Sequence, residues 1–101
     1  MNVGKNIRKL RKDRELDQET FAGRIGVTQP YLSQLENSRR DPSMSLLRRI
    51  SEELEVSVPG LILLSMEEED VQKDRREAFE DLRPEIEKLI LGELAKNAPD
   101  E

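Results

Sequence analysis

The side chains of this sequence that could do specific chemistry are few, and they lie close together. There is no His and no Cys, so the usual general base, the imidazole and thiolate metal ligands and the thiol nucleophile are missing. Runs of acids such as Glu52-Glu53 and Glu67-Glu68-Glu69 are present, but such runs read as solvated faces, and no Gly-rich phosphate loop accompanies them. Enzymatic activity, a metal centre and a bound cofactor are therefore not expected. What remains is hydrogen bonding by amides, hydroxyls and guanidinium groups, concentrated in Thr28, Gln29, Pro30, Tyr31, Ser33 and Gln34 and then in Asn37, Ser38, Arg39 and Arg40. A Gln amide can pair bidentately with adenine, and a Ser hydroxyl can bond several base edges. Paired Arg residues beside Asn and Ser suit a phosphate backbone.

The elements that must hold these groups lie between Asp17 and Asn37. Phe21, Ala22 and Ile25 recur at helical spacing, Gly26 breaks the rhythm, and Val27, Tyr31, Leu32 and Leu35 restart it. This predicts a helix, a tight turn and a second helix. Asp17 and Thr28 stand where a short side-chain oxygen accepts from the free N–H groups of a first turn. Pro30 fits a first turn because it gives up an N–H that had no partner there. Two such helices joined by a Gly-containing turn are a helix-turn-helix unit, whose second helix can lie in a DNA major groove. On that reading the base-reading side chains are Thr28, Gln29, Pro30, Ser33 and Gln34. Gln18, at a helix N-terminus, is placed to meet a phosphate through side chain and backbone together. Tyr31 is core if it turns inward; facing outward, the orientation expected here, its hydroxyl reaches a phosphate.

At these residues the sequence resembles the helix-turn-helix regulators related to phage Cro and repressor proteins, the XRE type. The resemblance rests on Gln18, Ala22, Gly26 and the apolar Ile25, Val27, Leu32 and Leu35. It continues through the flanks IRKLRKDRELDQETFA and LENSRRDPSMSLLRRISEELEVS, so that it covers roughly residues 3–64. It implies an all-α, five-helix, lambda-repressor-like DNA-binding domain over residues 1–65. It also implies an ion pair between Arg11 and Glu36 that braces the first helix against the third, and phosphate contacts from the Asn37–Arg40 loop. One departure stands out, because Ser38 occupies a position where the family usually has Gly. If that position is left-handed, Ser costs on the order of 1 kcal/mol relative to Gly unless Asn37 takes the strain instead.

Around the central pair, residues 3–14 read as an amphipathic helix with Val3, Ile7, Leu10 and Arg14 along one face. Leu16 fills the gap before the next helix. Ser43 or Ser45 caps a fourth helix whose core stripe is Met44, Leu47, Ile50 and Leu54, and Ser57 opens a fifth closed by Leu61, Ile62 and Leu64. Leu, Ile, Val and Phe together number 27 of 101 residues, enough for a compact helical core. The absence of Cys fits a reducing cytoplasm, and no apolar run approaches the length of a membrane span. A cytoplasmic, nucleoid-associated protein is expected.

The net charge of −5 looks unfavourable for a nucleic-acid partner until it is divided. Residues 1–64 carry eleven Lys/Arg against nine Asp/Glu, whereas residues 65–101 carry six against thirteen. A slightly basic front is thus followed by an acidic remainder. That remainder, 66–101, reads as one or two helices. The first begins at Glu67 with a thin stripe of Val71, Ala78, Phe79 and Leu82, and Pro84 marks either a kink or a first helical turn. The second carries Ile86, Leu89, Ile90 and Leu94 on one broad face. Neither can bury its stripe alone, and the five-helix core offers no obvious place for them. Phe79, Leu82, Ile86, Leu89, Ile90 and Leu94 are therefore the expected dimerisation surface, the alternative being that this segment folds back on its own core and the protein dimerises elsewhere or stays monomeric. The reading that follows is a sequence-specific regulator of duplex DNA, a repressor acting as a homodimer on a near-palindromic operator. The alternative is an antitoxin-type autoregulator whose acidic helices bind a second protein.

Overall fold

The computed structural model describes residues 1–92, and among these every regular element is helical. The order is α1 (Val3–Asp13), α2 (Gln18–Ile25), α3 (Gln29–Glu36), α4 (Met44–Leu54), α5 (Val58–Ser65) and α6 (Arg76–Leu91). No described helix is long and apolar enough to cross a membrane.

Each of the first five helices begins where a side-chain oxygen takes up a free N–H. Asn2 Oδ1 accepts from Lys5 N, Asp17 Oδ1 from Thr20 N, Thr28 Oγ1 from Tyr31 N, Ser43 Oγ from Leu46 N and Ser57 Oγ from Gly60 N, at 2.7–3.2 Å. Each cap contributes about 1 kcal/mol to its helix. Gly26 ends α2 in the left-handed conformation, at φ 80°, where the missing Cβ removes the steric cost. The inner faces enclose Ile7, Leu10, Phe21, Ala22, Ile25, Leu32, Leu35, Leu46, Ile50, Leu54 and Leu61. Full burial of each large apolar side chain favours folding by about 1.5–3 kcal/mol.

Two of the expected stripes shift. On α4 the buried face is Leu46, Ile50 and Leu54, with Leu47 half-buried, while Met44 at the first helical position is 52% exposed. On α1 the helix ends at Asp13, so Arg14 is an exposed C-cap residue, and Gly4 and Arg11 join Ile7 and Leu10 on the inner face.

The larger difference lies after Met66. The helix expected from Glu67 is replaced by two short 3₁₀ turns, Glu68–Asp70 and Lys73–Arg75. Glu67 and Asp70 close a reciprocal capping box in which Glu67 N donates to Asp70 Oδ2 at 2.8 Å. The Met1 amino group stands 2.6 Å from the same carboxylate. With its acids held in this turn and Val71 extended, the chain starts one helix only at Arg76. Pro84 falls inside α6 and neither ends nor opens it.

α6 also has a place on the core, as in the alternative expectation that this segment folds back. Ile90 rests on the bare Cα of Gly60 in α5, Leu91 packs against the core, and Phe79 and Ile86 are half-buried. Leu82 and Leu89 remain 56% and 78% exposed. The expected broad stripe is therefore split. At 100° per residue, Phe79, Ile86 and Ile90 lie within about 40° of one another, whereas Leu82 and Leu89 fall on its flank. Leu94 lies outside the described residues.

Candidate nucleic-acid interface

In the central pair, Ala22 of α2 and Leu32 and Leu35 of α3 are all buried in the one core cluster. Packing of these residues leaves the start and outer face of α3 in solvent. Thr28, Gln29, Pro30 and Gln34 are exposed and Ser33 is half-exposed. α1 crosses the far end of α3 so closely that a Cβ built on Gly4 would collide with the Leu35 carbonyl oxygen. Only glycine permits that approach, and nothing in the apolar periodicity of α1 had marked it.

A line of four side chains fixes the exposed end of α3 to α1. Arg11 Nε donates to Glu36 Oε2 at 2.7 Å and Arg11 Nη2 to Glu36 Oε1 at 3.0 Å, a two-pronged pair whose side chains are 6% and 1% exposed. Arg11 Nη1 donates to the Leu16 carbonyl at 2.7 Å, which ties the α1–α2 connection to the same guanidinium. Gln18 Nε2 donates to Glu36 Oε1 at 2.9 Å, and Gln29 Nε2 donates to Gln18 Oε1 at 2.8 Å. Gln29 therefore keeps its Oε1 and one amide hydrogen for a ligand, the set that bidentate pairing with adenine uses. Gln18, expected at a phosphate, also holds Gln29 in position.

Gln34 is bound differently. Arg40 Nε donates to Gln34 Oε1 at 2.7 Å, and the Arg40 guanidinium lies 4.9 Å from the Tyr31 ring centroid. With one lone pair of its oxygen engaged, Gln34 keeps both N–H groups and one acceptor position for a ligand. Tyr31 is half-buried, its ring against the core and under Arg40. Arg39 and Arg40 are both exposed.

The left-handed residue of this loop is Ser38, at φ 60°, while Asn37 has φ −93°. Asn37 does not take the strain. Ser38 Oγ instead donates to Asn2 Oδ1 at 2.9 Å, so the residue that bears the steric cost joins the loop to the α1 cap. Arg8 was not among the expected site residues. It lines one polar cleft with Arg11, Gln18, Glu36 and Asn37, which adds a cation beside two groups expected at phosphates. Its position three residues before Arg11 on the same helical face was the available signal.

The cap of α2 has an electrostatic signature. Hydrogen bonds from the Thr20 backbone and hydroxyl hold the Asp17 carboxyl below its usual range. Among the described residues no group of His, Cys, Asp and Glu stands close enough to hold a metal ion.

The sequence profile of the family described as Helix-turn-helix matches residues 7–61, more than half of the chain and the whole of α2 and α3 with the loop that follows. The chain belongs to the XRE-type helix-turn-helix family. XRE-type relatives include the HTH-type transcriptional regulator SinR of Bacillus licheniformis, 31% identical over 92% of this chain and 78% of its own length. The immunity repressor protein of Bacillus phage phi105 is 29% identical over 87% of this chain and 67% of its own. The propionyl-CoA carboxylase regulator of Cereibacter sphaeroides is 36% identical over 96% of this chain, which spans about a fifth, 21%, of that protein. These relatives are named as a transcriptional regulator, a repressor and a regulator, and the XRE-type family is one of DNA-binding transcription regulators. No solved structure matches the chain.

Proposed function

We propose that this chain is a sequence-specific transcriptional regulator that binds duplex operator DNA through α3, acting as a repressor and as a homodimer on a near-palindrome. The observation that carries the reading is Gln29, exposed at the start of α3 and oriented through Gln18 and Glu36 by a buried Arg11. Preorganised donors and acceptors are what base readout requires, since a mobile amide loses affinity in ordering. Thr28, Pro30, Ser33 and Gln34 complete the reading face. Gln18, Tyr31, Asn37, Ser38, Arg39 and Arg40 meet phosphates, with Arg8 beside them. Action on DNA places the protein in the cytoplasm with the nucleoid. In the single chain α6 is already folded on α5, which favours this reading over an antitoxin whose C-terminal segment orders only on a partner.

Selection of random duplex DNA by the purified protein, followed by sequencing, tests the proposal and reads the operator's symmetry. On the selected operator Gln29→Ala is expected to cost about 1–3 kcal/mol and to relax base choice at one position per half-site. Arg39→Ala is expected to weaken all sequences alike and to lower the salt slope by about 1. Equal loss of specific and nonspecific binding in Gln29→Ala would remove the assignment of the reading face.

A further inference from the structure

The end of α3 turns the following chain back along the outer face of the helix. Ser38 is left-handed at φ 60° and its N–H donates to the Leu35 carbonyl at 3.1 Å, while the Arg39 N–H donates to the Gln34 carbonyl at 2.9 Å. These nested bonds are the Schellman motif, which satisfies the free carbonyls of a last turn as the chain reverses. The Ser38 hydroxyl, donating to Asn2 Oδ1 at 2.9 Å, anchors the turn to the start of α1. The side chain that this turn delivers to the α3 surface is Arg40.

Arg40 meets two side chains there. Its guanidinium lies 4.9 Å from the Tyr31 ring centroid, and its Nε donates to Gln34 Oε1 at 2.7 Å. Tyr31 and Gln34 stand three residues apart and are neighbours on one helical face, so a single planar group spans both. Tyr31 packs against the core and gives the guanidinium a seat. The exposed Gln34 amide is thereby tied to the body of the domain.

An Arg side chain donates hydrogen bonds and accepts none. Its partner atom on Gln34 is therefore the oxygen, and of the two flips open to a Gln amide the contact selects one. A free amide presents either order of donor and acceptor to a base edge, and a base that needs one order is bound only by that fraction. Gln29 is oriented by a separate route, through Gln18. We propose that Arg40 is a positioning residue for base readout: its Nη groups meet a phosphate while its Nε holds the Gln34 amide in one orientation, so that discrimination at the base pair read by Gln34 depends on Arg40. This role rests on the DNA-binding reading and extends it, because one loop arginine then acts on sequence choice as well as on affinity.

Binding of the full chain to the selected operator and to single-base-pair variants of it tests this. The base pair concerned is the one at which Gln34→Ala loses preference. Arg40→Ala is expected to lower the affinity ratio between preferred and altered operators at that pair about threefold or more. It should leave the ratio at the Gln29-dependent pair unchanged and lower the salt slope by about 1. Arg40→Lys should restore the salt slope without restoring the ratio, because an ammonium supplies the charge but not the planar fork seated on Tyr31. Adding Arg40→Ala to Gln34→Ala should not lower the ratio further. In the free protein the Gln34 side-chain amide resonances should shift in Arg40→Ala while those of Gln29 stay. An unmoved Gln34 amide, no lost preference in Gln34→Ala, an unchanged ratio in Arg40→Ala, equal loss at both pairs, or full recovery of the ratio in Arg40→Lys would overturn the role. Failure of the DNA-binding reading is distinct: the wild type then shows no base preference on any duplex, and this role falls with it.

Discussion

The Arg11–Glu36 pair shows how one buried contact can serve stability and geometry together. An exposed pair contributes about 0–1 kcal/mol, but this one is enclosed, two-pronged and shared with Gln18 and the Leu16 carbonyl. Removing one partner leaves the other charged and desolvated. Glu36→Ala is expected to destabilise the domain by about 3–5 kcal/mol, and replacing both residues with apolar ones should recover much of that loss. Chemical denaturation of the single and double variants measures both. An unchanged midpoint in Glu36→Ala would mean that the pair contributes nothing. Asp17 gives a second expectation at this scale. Its folded pKa lies below the ordinary carboxylate value because the carboxylate accepts from Thr20. Its contribution is therefore present above the ordinary value and is lost as pH falls through the lowered one. Asp17→Asn keeps a capping oxygen that does not titrate, so the stability gap between wild type and variant should shrink between about pH 5 and pH 2. A gap independent of pH in that window would show that the Asp17 carboxyl titrates alike in the folded and unfolded chain.

Among the elements, α6 depends most on a few contacts. It reaches α5 through Ile90 on Gly60 and through Phe79 and Ile86 beside Leu63 and Leu64. Pro84 in its interior removes a hydrogen bond from the helix itself. Ile→Ala in a full core costs about 2–5 kcal/mol, and at the half-buried Ile90 we expect the lower end of that range. The loss should be local. Ile90→Ala is expected to raise amide exchange across residues 76–91 while α1–α5 keep their protection, because the buried cluster is drawn almost wholly from those five helices. Uniformly faster exchange would show instead that α6 and the core unfold as one unit.

For the molecule as a whole, a single helix-turn-helix unit reads only a few base pairs, so a useful operator needs two units related by a two-fold axis. Phe79, Ile86 and Ile90 are partly occupied within the chain, which leaves Leu82 and Leu89 as the exposed leucines of α6. The proposed dimer surface is correspondingly narrower than the full stripe. Leu82→Glu with Leu89→Glu touches no buried core residue, so it should preserve the fold while converting a dimer to a monomer in sedimentation and lowering operator affinity at least tenfold. A tight dimer that survives both substitutions would place the interface elsewhere. In the dimer the half-site centres should lie about one helical turn, or a multiple of it, apart.

Features that depend on neighbours along the chain can be read from the amino-acid order alone. The caps at Asp17, Thr28 and Ser57, the turn at Gly26, the core positions Phe21, Ala22, Ile25, Leu32 and Leu35, and the family resemblance were all legible, because capping and helical periodicity act over three or four residues. Features that depend on groups distant in sequence emerge from the assembled fold. Ser38 rather than Asn37 takes the left-handed conformation, and its hydroxyl reaches Asn2, thirty-six residues away. Gln34 Oε1 accepts from Arg40, and Gln29 is held by Gln18. Glu67 to Asp70 forms a short turn whose Asp70 meets the Met1 amino group, far away in sequence. The α6 stripe divides because Gly60 receives Ile90. Local pattern states which residues must be buried. Which surface buries them is set by the meeting of elements, and that information is not carried by any one segment of the chain.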